Sequence, residues 1–158
     1  MAEAADRLDR ALRSDCAEDL CHVIEDHTTE DFAALRKLLA KDADVEPIIR
    51  TRAIYALGRW HDTKAVADIT RVLPDLDKAQ LPTVIDALGR LGGANALKVI
   101  LAHADDPSPD VRKFAITALG RFDSAEAQAK LADIQASDDV EYLRNMALKH
   151  LDRSKLRN

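Results

Sequence analysis

Three copies of one tetrapeptide constrain this chain more than any other feature. Ala56-Leu57-Gly58-Arg59, Ala87-Leu88-Gly89-Arg90 and Ala118-Leu119-Gly120-Arg121 follow one another at intervals of 31 residues. A large apolar residue succeeds each copy: Trp60, Leu91 and Phe122. Three of the five glycines occupy this single position. A fixed period of this length marks one supersecondary unit used repeatedly.

The register extends in both directions. Ile54, Ile85 and Ile116 align, as do Ala53, Val84 and Ala115; downstream, Ala65, Ala96 and Ala127 align, followed by Ile69, Ile100 and Leu131. A fourth, degenerate copy fits with one inserted residue, which brings Leu143-Arg144-Asn145-Met146-Ala147-Leu148 under Val111-Arg112-Lys113-Phe114-Ala115-Ile116. Its glycine position has become Asp152, as befits a last unit with no successor to pack against.

Within a unit the apolar spacing is helical. Val111, Ala115, Ala118, Leu119 and Phe122 fall on one face of an α-helix, and so do Ala127, Leu131 and Ile134. Between these stripes, Asp123-Ser124 can cap the next helix, while Gly120 suits either a left-handed residue or a close helix contact. At the other junction Asp105-Asp106-Pro107-Ser108-Pro109 is a turn no helix runs through. Four hairpins result, over Asp31–Trp60, Asp62–Leu91, Gly93–Phe122 and Ser124–Asp152. Helical stretches Ala2–Arg13 and Ala17–Asp26 precede them, and Thr28-Thr29-Glu30-Asp31 reads as a helix-capping segment. One hairpin cannot bury its own apolar stripe, whereas a stack can. The expectation is an all-α, right-handed α-solenoid of about four hairpins, with residues 1–28 as an N-terminal cap, 29–153 as the array and 154–158 as a basic tail.

Composition agrees and narrows the class. Hydrophobic residues make up 47% and charged residues 32%, which suits a globular chain, and aromatics are only 4%, so Ala, Leu, Ile and Val must build the core. Five Gly and five Pro are too few for a turn-rich sheet protein. No apolar run reaches the roughly 18 residues of a membrane span. The start Met1-Ala2-Glu3-Ala4-Ala5-Asp6 lacks the basic and apolar regions of a signal peptide, so a cytoplasmic chain with two free thiols is expected.

The pattern Asp106-x-x-x-x-Val111-Arg112-x-x-Ala115-x-x-Ala118-Leu119-Gly120 resembles the HEAT-like repeat of phycobilin lyases and many bacterial scaffold proteins. The resemblance spans roughly residues 29 to 153. It implies a structural ladder in which a loop Asp pairs with an Arg at the start of the second helix, onto which Asp44/Arg50, Asp106/Arg112 and Asp138/Arg144 map at a common six-residue offset. The second unit departs, with Asp75 present but Leu81 where the Arg would stand. The resemblance also implies that the second helices line the concave surface.

Chemistry-bearing motifs are absent. Gly89-x-x-Gly92-Gly93 has neither the spacing nor the strand context of a phosphate-binding loop, and no Ser sits in a nucleophile elbow. None of His22, His27, His61, His103 and His150 precedes a Glu, so the His-Glu iron sites of HEAT-fold deoxyhypusine hydroxylases are not implied. Cys16, Cys21, His22, Asp26 and His27 cluster, but on a helix the two Cys point about 140° apart and only His22 and Asp26 share a face. Buried thiols and surface imidazoles account for them, and no catalytic residue, cofactor or metal is expected.

Charge is more informative. Residues 1–46 carry a net −7 and residues 47–158 a net +2, within an overall −5. The four second helices hold nine bases (Arg50, Arg52, Arg59, Arg90, Arg112, Lys113, Arg121, Arg144 and Lys149) against Asp86 and Glu141. Three of these are ladder residues, and Arg59, Arg90 and Arg121 sit where a cation also complements the helix dipole. Positions left outside the apolar stripe form a ridge: Arg52, Tyr55, Arg59, Thr83, Asp86, Arg90, Lys113, Thr117, Arg121 and Lys149. Tyr55 is its best anchor, because exposed aromatics and Arg dominate interface energetics. Trp60 belongs to the core with Leu91 and Phe122. The leading functional expectation is a non-enzymatic protein-interaction scaffold that holds an acidic protein segment on this ridge. The alternatives are nucleic-acid binding, as in HEAT-like alkylpurine DNA glycosylases, which the net −5 disfavours, and a bilin lyase or accessory subunit.

Overall fold

A computed structural model describes residues 2–14, 20, 22, 25, 28–40 and 42–156. Among these the regular elements are helical: α1 (Ala2–Arg13), α2 (Thr29–Lys37), α3 (Pro47–Arg59), α4 (Ala65–Val72), α5 (Leu81–Leu91), α6 (Ala94–Ala102), α7 (Pro109–Leu119), α8 (Ala125–Ser137) and α9 (Glu141–Lys155). The pairs α2/α3, α4/α5, α6/α7 and α8/α9 are the four expected hairpins. The chain is an all-α solenoid. The stretch Ala17–Asp26 falls largely outside the described residues.

Local chemistry explains where the helices start and stop. Pro47, Pro82 and Pro109 stand in the first turn of α3, α5 and α7, where a missing N–H costs nothing. Ser124 caps α8 by accepting from the Ala127 N–H at 3.2 Å. Thr28 and Asp31 close the start of α2, with the Thr28 N–H donating to Asp31 Oδ2 at 2.7 Å. Gly92 and Gly93 take φ of 73° and 87°, a left-handed pair that ends α5 and leads directly into α6. One period earlier, His61 adopts φ of 55° at the position equivalent to Gly92, and its ring lies 3.1 Å from the Arg90 carbonyl.

Packing follows the repeat register. Ile54, Ile85 and Ile116 are fully buried, as are Ala53, Val84 and Ala115, and so are Ala65, Ala96, Ala127, Ile69, Ile100 and Leu131. Residues one period apart therefore occupy the same surroundings. Trp60 is buried with its ring centroid 5.2 Å from that of Phe32. Leu148, the counterpart of Ile116, is 40% exposed.

Successive second helices approach closest. A Cβ built on Gly58 would lie 2.8 Å from Ala87 Cα, and one on Gly89 would lie 2.6 Å from Ala118 Cβ. The repeated glycine is thus the notch into which the next unit's alanine fits. Gly120, with φ of −62°, is right-handed, so the close contact rather than a left-handed cap explains it. There the alanine's counterpart is His150, whose ring occupies the space a side chain on residue 120 would need. The first helices α4, α6 and α8 also stack in order, through fewer contacts than the second helices make.

The second unit is irregular. Two short 3₁₀ turns, Leu73–Asp75 and Lys78–Gln80, carry the chain from α4 to α5. Gln80 reaches back to donate to the Pro47 carbonyl at 2.9 Å.

Candidate functional site

The apolar stripes turn inward, so the remaining positions of α3, α5, α7 and α9 form a polar strip along the stack. The expected ridge residues divide here by what they touch. Arg52 is partly buried and donates through NH1 to the Leu12 and Ser14 carbonyls at 2.7 and 2.8 Å. It closes the C-terminal end of α1, a structural contact and not a free ridge charge. Tyr55 and Thr83 are half-buried, and the Thr117 hydroxyl donates to the Lys113 carbonyl at 3.0 Å. Arg59, Lys113 and Lys149 are exposed and make no ion pair among the described residues.

Asp86 organises the middle of the strip. Its Oδ2 accepts from Arg90 Nε at 2.8 Å and its Oδ1 from Arg121 NH2 at 2.9 Å. Arg90 lies one helical turn further along α5, and Arg121 is Arg90's counterpart one period later. One carboxylate therefore bridges neighbouring members of a column of arginines. The one-residue insertion in the last unit makes Arg153 the next member, so the column reads Arg59, Arg90, Arg121, Arg153. Arg153 is exposed and without an ion pair among the described residues.

The ladder expected at the hairpin loops has a different wiring. Arg112 NH1 takes the Asp106 main-chain carbonyl at 3.0 Å, and Arg144 NH1 takes that of Asp138 at 2.5 Å. The Asp106 carboxylate instead accepts the Ser108 N–H at 2.8 Å, an Asx turn that leaves the arginine only the carbonyl. The side-chain pairing runs between units. Arg112 grips Asp138 of the next loop through Nε and NH2 at 2.9 and 3.1 Å, and NH2 also reaches Asp139 at 2.5 Å. Hydrogen bonding to Asp138, against the effect of burial, holds the Arg112 guanidinium above its ordinary range. Burial alone would raise the Asp138 carboxyl, but the Arg112 contact and the Val140 N–H together outweigh it and the group sits below the usual carboxylate range. In the first unit, Asp44 is exposed and forms no ion pair among the described residues, and Arg50 takes the Ala43 carbonyl at 3.1 Å.

Further unit-to-unit ion pairs were not anticipated from the repeat pattern. Arg36 pairs with the buried Asp62, and Arg7 of α1 pairs with the buried Asp31 at 3.1 Å. Lys130 meets Asp105 at 2.6 Å and Asp133 at 3.2 Å. Burial pulls its ammonium down, yet these two carboxylates leave it above its ordinary value. What hid these pairs is distance in sequence: 26 residues separate Arg112 from Asp138, and only the stacking brings them together. Arg153 follows Asp152, which takes the glycine position, as each column arginine follows its glycine, and that register is the signal that marks it.

Among the described residues, no group of three or more His, Cys, Asp or Glu side chains is arranged to hold a metal ion. His22 is exposed; Cys16, Cys21, Asp26 and His27 lie outside the described residues. No described helix is long and apolar enough to cross a membrane. No curated protein matches the chain in sequence. Residues 75–152, just under half of the chain, match the family model described as HEAT repeats, and the stacked hairpins are similar in architecture to that repeat.

Proposed function

We propose that this chain is a non-enzymatic interaction module that holds an acidic protein segment along the second helices. HEAT repeats generally serve as protein-interaction scaffolds, and a stack of hairpins offers an extended surface rather than a closed pocket. The tight glycine–alanine contacts between successive second helices support the reading that the strip they carry lies on the concave side of the stack. The observation that carries the charge preference is the set Arg59, Lys113 and Lys149, exposed cations with no ion pair among the described residues. Exposed cations without an ion pair among the described residues favour a partner of opposite sign and speed its arrival.

The test is capture of binding partners by the intact chain beside a triple variant, Arg59→Glu, Lys113→Glu and Lys149→Glu. All three positions are exposed, so folding should persist, checked by helical circular dichroism. Partners that are acidic and lost by the triple variant support the reading. Partners retained in full by the folded variant overturn it.

A further inference from the structure

The Asp86 bridge shows how this scaffold seats a carboxylate. The anion lies between the arginine four residues on in its own helix and that arginine's counterpart in the next unit, at 2.8 and 2.9 Å. The same place one unit later falls between Arg121 and Arg153, and the residue at the Asp86 position there is Thr117, which carries no charge. A cleft of about 520 Å³ opens at this place, lined by Thr117, Gly120, Arg121, His150, Arg153 and Leu156.

Two features of the last unit create the cleft. α9 runs on to Lys155, three residues past the Asp152 that takes the glycine position, whereas α3 and α5 end one and two residues past Gly58 and Gly89. Arg153 stands in the last turn of α9, one residue past Asp152 as Arg59 and Arg90 stand one past their glycines, and Leu156, 88% exposed, follows as an apolar wall. Opposite it, Gly120 leaves room against which the His150 ring lies. Asp86 is engaged with Arg90 and Arg121, and Asp152 with Lys155 at 3.3 Å. The cleft therefore presents positive charge and an apolar edge together, in a volume suited to one or two side chains.

We propose that this cleft is a docking site for an acidic side chain of a protein partner, taking the role between Arg121 and Arg153 that Asp86 takes between Arg90 and Arg121, with a neighbouring apolar residue of the partner against Leu156. The inference rests on the interaction-module reading and gives it a specific seat. The carboxylate accepts from both guanidinium groups, and charge-assisted bonds of this kind are the strong ones at an interface.

The probe is a fluorescein-labelled peptide, Glu-Leu-Glu-Glu-Leu-Glu, titrated into the full chain and followed by anisotropy. Saturable binding is expected, weakened about tenfold in Arg153→Gln and in Leu156→Asp. Both positions are exposed, so melting temperatures should match wild type. The sharper variant is Thr117→Asp, which installs the missing carboxylate internally. It should block the peptide and raise the melting temperature, a pairing that damage to the fold cannot produce. Thr117→Asp and Arg153→Gln that bind like wild type overturn the inference, as does a peptide with no saturable binding up to about 1 mM. Inorganic phosphate competing as well as the peptide, or duplex DNA binding in its place, also overturns it. Loss of binding in the Arg59/Lys113/Lys149 triple variant with these cleft variants unaffected would leave the wider strip standing and remove only the seat. The reverse pattern would keep the seat and remove the strip.

Discussion

Replacing Gly89 by alanine should destabilise the protein although alanine is the better helix former. The new methyl carbon would sit 2.6 Å from Ala118 Cβ and 2.9 Å from Ala118 Cα, where unstrained carbons rest about 3.5–4.0 Å apart. One of the two atoms met is backbone, so no side-chain rotation relieves the overlap and α5 and α7 must part by about 1 Å. Overpacking of this kind costs about 1–3 kcal/mol, and the tightness of the contact puts this case near the top of that range. Gly→Ala in a helix returns about 1 kcal/mol. The balance is a loss of about 2 kcal/mol, or about 4–8 °C in Tm for a chain of this size. Gly120→Ala is the control. The overlap there is with the His150 ring, a side chain and not backbone, so the loss of stability should be smaller than at Gly89. Adding Ala118→Gly to Gly89→Ala reopens the notch, and a double-mutant cycle by urea unfolding should show favourable coupling of about 1 kcal/mol or more. A Gly89→Ala protein as stable as wild type would refute the reasoning.

Three other outcomes follow from the contacts described. Asp138→Asn strands the buried Arg112 and should cost about 3 kcal/mol at neutral pH by denaturant unfolding, softened by the contact Arg112 keeps with Asp139. Because the folded Asp138 carboxyl titrates below its unfolded range, its contribution is complete above the unfolded value of about 3.9 and is lost as pH falls through the lower folded value; the gap between Asp138→Asn and wild type should narrow over that window. Arg52→Ala removes the donor to two carbonyls at the end of α1 and should lower stability by about 1–3 kcal/mol, with earlier hydrogen exchange in α1. Gly92→Ala meets no neighbouring atom, yet its φ of 73° should still cost about 1–2 kcal/mol by thermal unfolding.

The repeat was legible because the position that recurs most strictly, Gly58, Gly89 and Gly120, is the one where two helices meet most closely. Its apolar companions recur for the same reason, and the burial of Ile54, Ile85 and Ile116 follows. What stayed hidden depends on the stacking itself. Asp106 and Arg112 are close in sequence, so pairing them is the natural reading, yet the loop turns the carboxylate onto its own backbone and the arginine reaches into the next unit. Arg52 looked like a ridge cation because nothing local announces that α1 ends beside it. His61 carries no glycine-like signal for its left-handed backbone. Arg153 lies in the arginine register, one residue past Asp152, but the cleft it forms beside Thr117 exists only through the stacking of α9 on α7.

The most direct test of the stacked-hairpin account is a nuclear Overhauser experiment between the glycine notches and the alanines of the following unit. Strong cross-peaks from the Gly58 α-protons to the Ala87 methyl, and from those of Gly89 to the Ala118 methyl, are predicted, since a side chain at either glycine would overlap its partner alanine. Absence of both cross-peaks in an otherwise assigned, folded protein would contradict the account.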